Sequence, residues 1–336
     1  MGAEQQTASA DVCIIIDCNE WIRLKWLGSP IGLTFISVLK RDESLKLAVP
    51  EVLSGEMDKH RAETARLLLR RLEDVSAEIK IVTGDSLAAG VITATEVSID
   101  VAIRGRLSAI AGQVIYPEIN IDEVRRALVR VNAEAPPNGP KNQQMKDSLL
   151  WEACVTLAND HRVILVTGDK AFYSDRQPKN GLAENLALEP SVTAGRLQVF
   201  PSLEEALQSF APETSVGSSE VAGIENKDLI AAQAREAFTR SAIAVDIQAE
   251  LELRGVVPAY FRTEVPHTFA VSFTAFFYVN QNAEDKARGE AAVSGQCRVD
   301  TRHATIEAMS LQSINWDLKD PAGGQIKTRE VLDIPT

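Results

Sequence analysis

Four acidic residues occupy positions from which their side chains could share one site. Asp17 and Asp169 each follow an apolar, β-branched run that predicts a buried strand, and Glu56 and Asp147 each lie near the start of a predicted helix. Four carboxylates close together cannot all stay ionised without a counter-charge. Oxygen ligands favour Mg²⁺ or Mn²⁺ as that counter-charge. The pattern therefore indicates a divalent-metal site able to activate water against a phosphoryl group.

Each of these acids alone also has an ordinary structural explanation. Asp17 could cap the helix that starts near Trp21, and Asp147 could be a favourable charge at a helix N-terminus. Glu56 could be a solvated surface residue. The combination favours the site, because two strand-end aspartates and two helix-start acids in this order are hard to obtain by accident.

The predicted elements carry the acids to one edge of a sheet. Strands that alternate with helices predict a parallel α/β sheet, and such sheets bind ligands at the carboxyl ends of their strands. The fold class is therefore α/β, an α/β/α sandwich with a central parallel sheet, followed by a smaller α+β domain. The predicted strands are 12–16, 45–49, 79–83, 163–166 and 197–200, and the main predicted helices are 51–72, 121–131, 145–158 and 202–210.

Composition divides the chain into consecutive parts. A polar start predicts disorder, a Ser- and Gly-rich stretch predicts a linker, and alternating apolar residues near the end predict antiparallel strands. The predicted parts are a disordered N-terminus (1–11), an α/β domain (12–211) with a helical insertion (85–140), a linker (212–227) and a C-terminal α+β domain (228–336), whose first segment, 228–254, is predicted to be helical.

Charge and cysteine content restrict the class of protein. The net charge of -12 argues against a surface that binds polyanions everywhere, although a local basic track beside a metal site is compatible with it. The four cysteines form no CxxC pair, which predicts buried free thiols. The N-terminus lacks the pattern of a signal peptide, and no apolar run reaches the length of a membrane span. We therefore expect a soluble cytoplasmic protein that has no membrane partner.

Four motifs together resemble the PIN domain, a family of metal-dependent ribonucleases. The resemblance covers residues 12 to about 210 and is specific in the combination rather than in any single motif. It is nearest to a longer bacterial PIN subfamily with a helical insertion and an added C-terminal domain. The motifs are Asp17-Cys18-Asn19, like the family's D-x-N; Val49 to Met57, like V-P-x-x-x-x-x-E; Lys146 to Glu152; and Val166 to Phe172, like V-T-x-D-x-x-F.

The resemblance implies a role for each matching residue. Asp17, Glu56, Asp147 and Asp169 would be the catalytic acids and the ligands of one or two Mg²⁺ or Mn²⁺ ions. The supporting residues would be Asn19, which orients a ligand or water, Thr167, which hydrogen-bonds near the site, and Glu152 and His60 behind it. Asp175 is a candidate fifth acid, weighed against an ordinary loop carboxylate.

RNA binding requires local positive charge. Arginine clusters on two predicted helices are the candidate tracks, weighed against ordinary solvated helix faces. Lys146 and Lys170 could each hold a phosphate, weighed against ordinary exposed lysines. The arginines are Arg61, Arg66, Arg70 and Arg71 on the first helix and Arg125, Arg126 and Arg130 on the second.

Three other functions compete with this interpretation. A GDSL-type esterase would use Ser86 as the nucleophile and His303 as the base, but no intermediate G-x-N-D motif is present. A haloacid-dehalogenase-like phosphatase would need an aspartate where Asn19 stands. A PIN-like scaffold could bind RNA or protein and cut nothing, although the intact set of four acids argues against it.

The sequence thus predicts a Mg²⁺- or Mn²⁺-dependent endoribonuclease that attacks a phosphodiester in line and leaves a 5′-phosphate. RNA, single-stranded or structured, is the expected substrate. A toxin, RNA-processing or defence role is compatible with this chemistry. The expected protein partners are an inhibitor or partner protein, or a second copy of the chain.

Overall fold

The computed structural model describes residues 11–84, 101–139, 144–217, 220–221, 227–239, 249–281, 289–303, 305–319 and 325–331. Residues 1–10 of the predicted disordered N-terminus lie outside these ranges. The chain divides into two compact units. The first is Met1–Leu27 with Val38–Ala206, and the second is Gly28–Ser37 with Leu207–Thr336.

The first unit is built on a five-stranded parallel sheet flanked by helices, which confirms the predicted fold class. The strand order is β3-β2-β1-β4-β5. The strands are β1 (Val12–Ile16), β2 (Leu45–Ala48), β3 (Val114–Ile115), β4 (Arg162–Val166) and β5 (Leu197–Phe200). The helices are α1 (Cys18–Arg23), α3 (Glu51–Thr83), α4 (101–108), α5 (Ile121–Asn132), α6 (Met145–Leu157), α7 (Glu184–Ala187) and α8 (Pro190–Thr193).

The central strand β1 determines where the polar residues emerge. Ile14, Ile15 and Ile16 are fully buried, as expected for a strand covered on both faces. β1 pairs in parallel with β4, and Ile16 lies opposite Val166. Because the two strands end at the same level, the residues that follow them meet at one edge of the sheet.

The long helix α3 corrects the prediction near residue 80. Residues 79–83 were predicted to be a strand, but they are the last turns of α3, which ends at Gly84 with a left-handed φ of 82°. Four of the five residues 79–83 are β-branched, which is why the sequence predicted a strand. They lie instead on an exposed helix end, where Ile81 and Val82 are 84% and 83% exposed. The remaining strand of the sheet is the two-residue β3, which is too short to leave a periodic signal.

The described part of the predicted helical insertion contains two helices and also the strand β3, which the sequence did not predict. Residues 85–100 and 140 lie outside the described residues, and 101–108 and Ile121–Asn132 are helices. Helix α5 begins with a capping box, in which Asn120 accepts from the backbone amide of Glu123 and Glu123 accepts from that of Asn120.

The second unit is an antiparallel sheet with one long helix. The strand order is β11-β10-β9-β8-β7-β6. Phe238 of the helix packs against Trp316 and Phe277 of the sheet, with ring centroids 4.4 and 6.3 Å apart. The elements are β6 (Ser215–Val216), α10 (Lys227–Thr239), β7 (Ala249–Arg262), β8 (Thr268–Gln281), β9 (Gly289–Asp300), β10 (Thr305–Lys319) and β11 (Gln325–Val331).

Three features of the second unit differ from the prediction. Residues 249–254, predicted to be helical, begin strand β7. The predicted linker 212–227 includes β6, whose Ser215 and Val216 pair with β7. Residues Gly28–Ser37 also belong to this unit, where the amide of Ile31 donates to Gln296 Oε1 at 3.4 Å. A neighbour more than 250 residues away in sequence leaves no local signal.

Helices α2 (Pro30–Arg41) and α9 (Leu203–Phe210) are each divided between the two units. All four cysteines are buried and free, as predicted. No helix in the described part of the chain combines the length and the hydropathy that a membrane span requires.

Candidate active site

The two strand-end aspartates are joined by the hydroxyl group of one threonine. Thr167 is fully buried directly after β4. Its Oγ1 donates to Asp17 Oδ2 at 3.0 Å and accepts from the backbone amide of Asp169 at 3.1 Å. The backbone amide of Asp17 in turn donates to the carbonyl oxygen of Val166 at 2.9 Å. Residues 150 positions apart are thereby held at one point of the sheet edge.

Each of these aspartates also caps a helical turn. Asp17 Oδ1 accepts from the amide of Cys18 at 2.7 Å at the start of α1, and Asp169 Oδ1 accepts from the amide of Ala171 at 2.8 Å. The capping explanation and the site explanation of Asp17 are therefore compatible. One oxygen holds the backbone, and the other faces the threonine that links it to Asp169.

Asp147 is the least compensated of the acids. It lies in the first turn of α6, and its Oδ2 is buried without a hydrogen-bond partner among the described residues. Burial raises the pKa of its carboxyl to about 7, and the negative charges of Asp169, Asp17 and Glu56 contribute to the rise. A buried polar atom without a partner costs free energy, so this oxygen is available to a partner that the described residues do not supply.

Glu56 borders the same neighbourhood from the second turn of α3. Its Oε1 lies 3.6 Å from Nζ of Lys146 and 3.8 Å from Nε2 of His60. Lys146 immediately precedes Asp147 and lowers the pKa of its carboxyl. Glu56 and His60 are four residues apart, and their contact shows that they share one face of α3.

Electrostatics shows that the acids influence one another. Burial raises the pKa of Asp17 to about 6; the hydrogen bonds from Thr167 and Cys18 lower it, and the charges of Asp169 and Glu56 raise it further. Nevertheless, no three His, Cys, Asp or Glu side chains in the described ranges are grouped so that they could hold a metal ion. The acids form an electrostatic neighbourhood rather than a closed set of ligands. Their hard oxygen donors, and the unpaired oxygen of Asp147 above all, fit a divalent cation.

Glu152 lies in an ion-pair cluster between helices α6 and α5. This side chain is 1% exposed, and its two oxygens each accept at 2.5 Å from an arginine of α5, Arg126 and Arg130. Arg130 also pairs with Glu189. Glu152 lies five positions after Asp147 on α6, so the two side chains point in different directions. The supporting role of Glu152 and the RNA-binding role of Arg126 and Arg130 stay predictions.

The other predicted residues are more exposed. Asn19 lies on the first turn of α1 and is exposed. Lys170 is exposed beside Asp169, and Lys146 is exposed despite its contact with Glu56. Of the arginines on α3, Arg61 pairs with Asp58 at 3.1 Å, and Arg66, Arg70 and Arg71 are exposed. Their roles in RNA binding stay predictions.

Of the remaining candidates, His303 belongs to the second unit and Asp175 to a loop of the first unit. His303 is exposed, and its Nδ1 lies 3.3 Å from Asp300 Oδ2. Ser86, its proposed nucleophilic partner, lies outside the described residues. Asp175 is an exposed loop carboxylate that accepts from Asn180 Nδ2 at 3.3 Å.

The structure adds one feature that sequence reasoning missed, a cleft of about 450 Å³. We call it the Arg176 cleft. A neighbouring pair of polar residues, Glu184 and Asn185, also contributes to its lining. The sequence Pro136-Pro137-Asn138-Gly139 is typical of a loop. No local pattern relates it to Ser174, which lies almost 40 positions later and lines the same cleft. The two main sides are Pro136, Pro137 and Asn138, and Ser174, Asp175 and Arg176.

Comparison with known families matches residues 14–172 to the PIN domain. The matched range includes Asp17, Glu56, Asp147 and Asp169. No curated protein and no solved structure matches the chain significantly. Residues 14–172 of this chain, which include these four acids, therefore form a PIN domain.

Proposed function

We propose that this protein is a Mg²⁺- or Mn²⁺-dependent endoribonuclease. PIN domains are generally nucleases, and the resemblance of the four motifs implies that the acids of this chain would form the metal site. The observation that supports the proposal most directly is the buried, unpaired Oδ2 of Asp147 among three other acids. An oxygen in that condition is suited to a cation that arrives from solution.

The residues that would hold the metal are Asp17, Glu56, Asp147 and Asp169. A divalent cation, when bound, lowers the pKa of water and neutralises charge on a phosphodiester. Thr167 fixes the orientation of Asp17 through its hydroxyl group. In the metal-free protein burial raises the pKa of Asp147 to about 7, so a bound cation would displace its proton near neutral pH. Lys146 and Lys170 would meet the phosphates of the RNA, and Asn19 would hydrogen-bond a ligand or water at the rim.

A non-catalytic PIN-like scaffold that binds RNA or protein is the second candidate. The observation that favours it is the absence, among the described residues, of three acidic or histidine side chains grouped for a metal. Such a scaffold would bind RNA with or without Mn²⁺ and leave it uncut.

One assay separates the two functions. The purified protein is incubated with labelled RNA and single-stranded DNA in Mg²⁺, Mn²⁺ or EDTA, and the wild type is compared with the double variant Asp17→Asn, Asp147→Asn. We expect cleavage of RNA that requires the metal, leaves a 5′-phosphate and is lost in the double variant. Asp160→Asn is the matched control, because Asp160 is an exposed acid just beyond the end of α6 opposite to Asp147. This variant should cleave RNA as the wild type does. Metal-dependent cleavage that survives the double change would overturn the site assignment.

A role as a toxin restrained by an inhibitor protein, or in RNA processing or defence, belongs to the same proposal. Induced expression of the wild type should arrest growth if the protein is a toxin, and Asp147→Asn should not. Co-purification from the native host would identify an inhibitor, and sedimentation would show whether the protein forms a homo-oligomer.

A further inference from the structure

The Arg176 cleft is held open by a rigid loop. Tyr173 pairs with Leu182 in an isolated β-bridge, and the hydroxyl of Ser174 donates to the carbonyl oxygen of Leu182 at 2.9 Å. Asp175 and Arg176 both have left-handed backbones, with φ of 52° and 57°. Both side chains are exposed. A concave wall that is preformed in this way loses little conformational entropy when a ligand binds.

The cleft connects to the acid site at two points. Asn138 Nδ2 donates at 2.6 Å to the hydroxyl of Ser148, the residue after Asp147. On the other side, the hydroxyl of Tyr173 donates at 2.6 Å to the carbonyl oxygen of Thr167, and Ala171, which also lines the cleft, donates its amide to Asp169. Residues that line the cleft are therefore hydrogen-bonded to Asp169, to Thr167 and to the residue that follows Asp147.

The chemistry of the lining favours a nucleobase over a phosphate. Asp175 and Glu184 place two carboxylates in the cleft beside Arg176, the one cation among the described residues that line it, and two anions repel a phosphate. Carboxylates do accept hydrogen bonds from the amino groups of bases. The guanidinium of Arg176, which forms no hydrogen bond or ion pair with another described residue, offers a flat cationic face on which a base can stack.

We propose that the Arg176 cleft takes one unpaired nucleobase of an RNA strand whose backbone lies at the four acids. This inference rests on the proposed nuclease function and deepens it, because it commits the enzyme to single-stranded RNA. A base inside a duplex cannot enter a cleft without being unstacked and unpaired first. The volume of about 450 Å³ lies within the range of small-molecule pockets.

The test is a binding cycle between Arg176→Ala and an abasic RNA. Binding is measured by fluorescence anisotropy in the Asp147→Asn background, so that RNA is not cut, with a short single-stranded RNA and a series of copies that each lack one base. We expect Arg176→Ala to weaken binding of the intact RNA about tenfold, the scale of one stacked base. One abasic copy should bind the protein with Arg176 about tenfold more weakly than the intact RNA does. Arg176→Ala should weaken the binding of that copy little further.

Arg196→Ala is the matched control, because Arg196 is an exposed arginine whose guanidinium donates to the carbonyl oxygen of Asn159, and it directly precedes β5 at the edge of the sheet opposite to the acids. It should change binding less than twofold. Equal losses for Arg176→Ala and Arg196→Ala would overturn the proposal. A tenfold loss that persists with every abasic copy would assign Arg176 to the backbone and also overturn it. Cleavage by the wild type is read separately, so a failed cycle with intact metal-dependent cleavage rejects the cleft alone.

Discussion

Carboxylates are buried in two different ways in the first unit. Glu20 and Glu204 both pair with Arg23, and Glu152 pairs with two arginines of α5. Asp17 and Asp147 form no ion pair with any residue in the described ranges, although Asp17 is 8% exposed and Asp147 carries a buried, unpaired oxygen. Some buried acids are thus paired with arginines, whereas Asp17 and Asp147 have no ion pair among the described residues.

The presence or absence of an arginine partner separates these buried acids into two groups, and we propose that the group without one holds the metal. Burial lowers the pKa of the Arg23 guanidinium, but Glu204 and Glu20 reverse that effect and raise it above its ordinary value. At the sheet edge the effect is opposite, because burial raises the pKa values of Asp17 and Asp147 and the neighbouring acids raise them further. We infer that a bound cation supplies the positive charge that Asp17 and Asp147 lack. Each prediction below tests this difference between the two kinds of buried acid.

The largest effect is expected from the uncompensated acid itself. Asp147→Asn keeps the shape of the side chain and removes its charge, so cleavage of RNA should fall by about 1000-fold if Asp147 is a metal ligand. The rate is measured under single-turnover conditions with saturating Mn²⁺. A loss below about threefold, the scale of a remote surface change, would place Asp147 among structural acids.

The compensated acids should respond in stability instead. Arg130→Ala leaves one oxygen of the buried Glu152 without its partner, and breaking a buried ion pair in this way costs about 3 kcal/mol. Arg125→Ala, which removes an exposed arginine from the same helix, should cost less than about 1 kcal/mol. Urea denaturation of both variants measures the difference. Equal stabilities would show that Glu152 is hydrated and that the contrast is overstated.

Added metal should stabilise the protein through the uncompensated acids. A ligand that binds only the folded state contributes about 2.7 kcal/mol at 100 times its Kd, which raises Tm by about 2–4 °C for each kcal/mol in a unit of this size. Thermal unfolding is followed with Mg²⁺ or Mn²⁺ against NaCl at equal ionic strength. The rise should vanish in the double variant Asp17→Asn, Asp147→Asn and persist in Asp160→Asn. An equal rise in both would place the bound ions elsewhere.

The acids were predictable from the sequence because their positions depend on local patterns. The apolar runs before Asp17 and Asp169 predict buried strands, and pairing of Ile16 with Val166 then brings the two aspartates together. Glu56 and Asp147 were placed by helix starts that the apolar spacing identifies. The resemblance to the PIN domain added the order in which the acids occur.

What could not be predicted depends on contacts between distant residues. No local pattern shows that Glu152 lies between Arg126 and Arg130, which belong to a different helix. The third strand was misplaced because β-branched residues at the end of α3 mimic a strand, whereas Val114–Ile115 is too short for any pattern. The Arg176 cleft joins two loops, and no periodicity relates them.

The smallest expected effect is a pH dependence of stability without metal. The folded-state pKa values of Asp17 and Asp147, about 6 and about 7, lie above the ordinary value of a free aspartate. The folded protein therefore binds more protons than the unfolded chain between about pH 4 and pH 7. Stability is fully present below the unfolded pKa and is lost as pH rises through the folded values.

In EDTA, the free energy of unfolding should fall by about 1 kcal/mol or more between pH 5.5 and pH 8. Asp147→Asn should flatten this decline and should be more stable than the wild type at pH 8, because it removes an uncompensated charge. Asp160→Asn should follow the wild type. A carboxylate whose removal both abolishes cleavage and stabilises the metal-free fold carries a functional charge. A variant that loses stability at pH 8 would instead show that Asp147 is compensated within the chain, as Glu152 is.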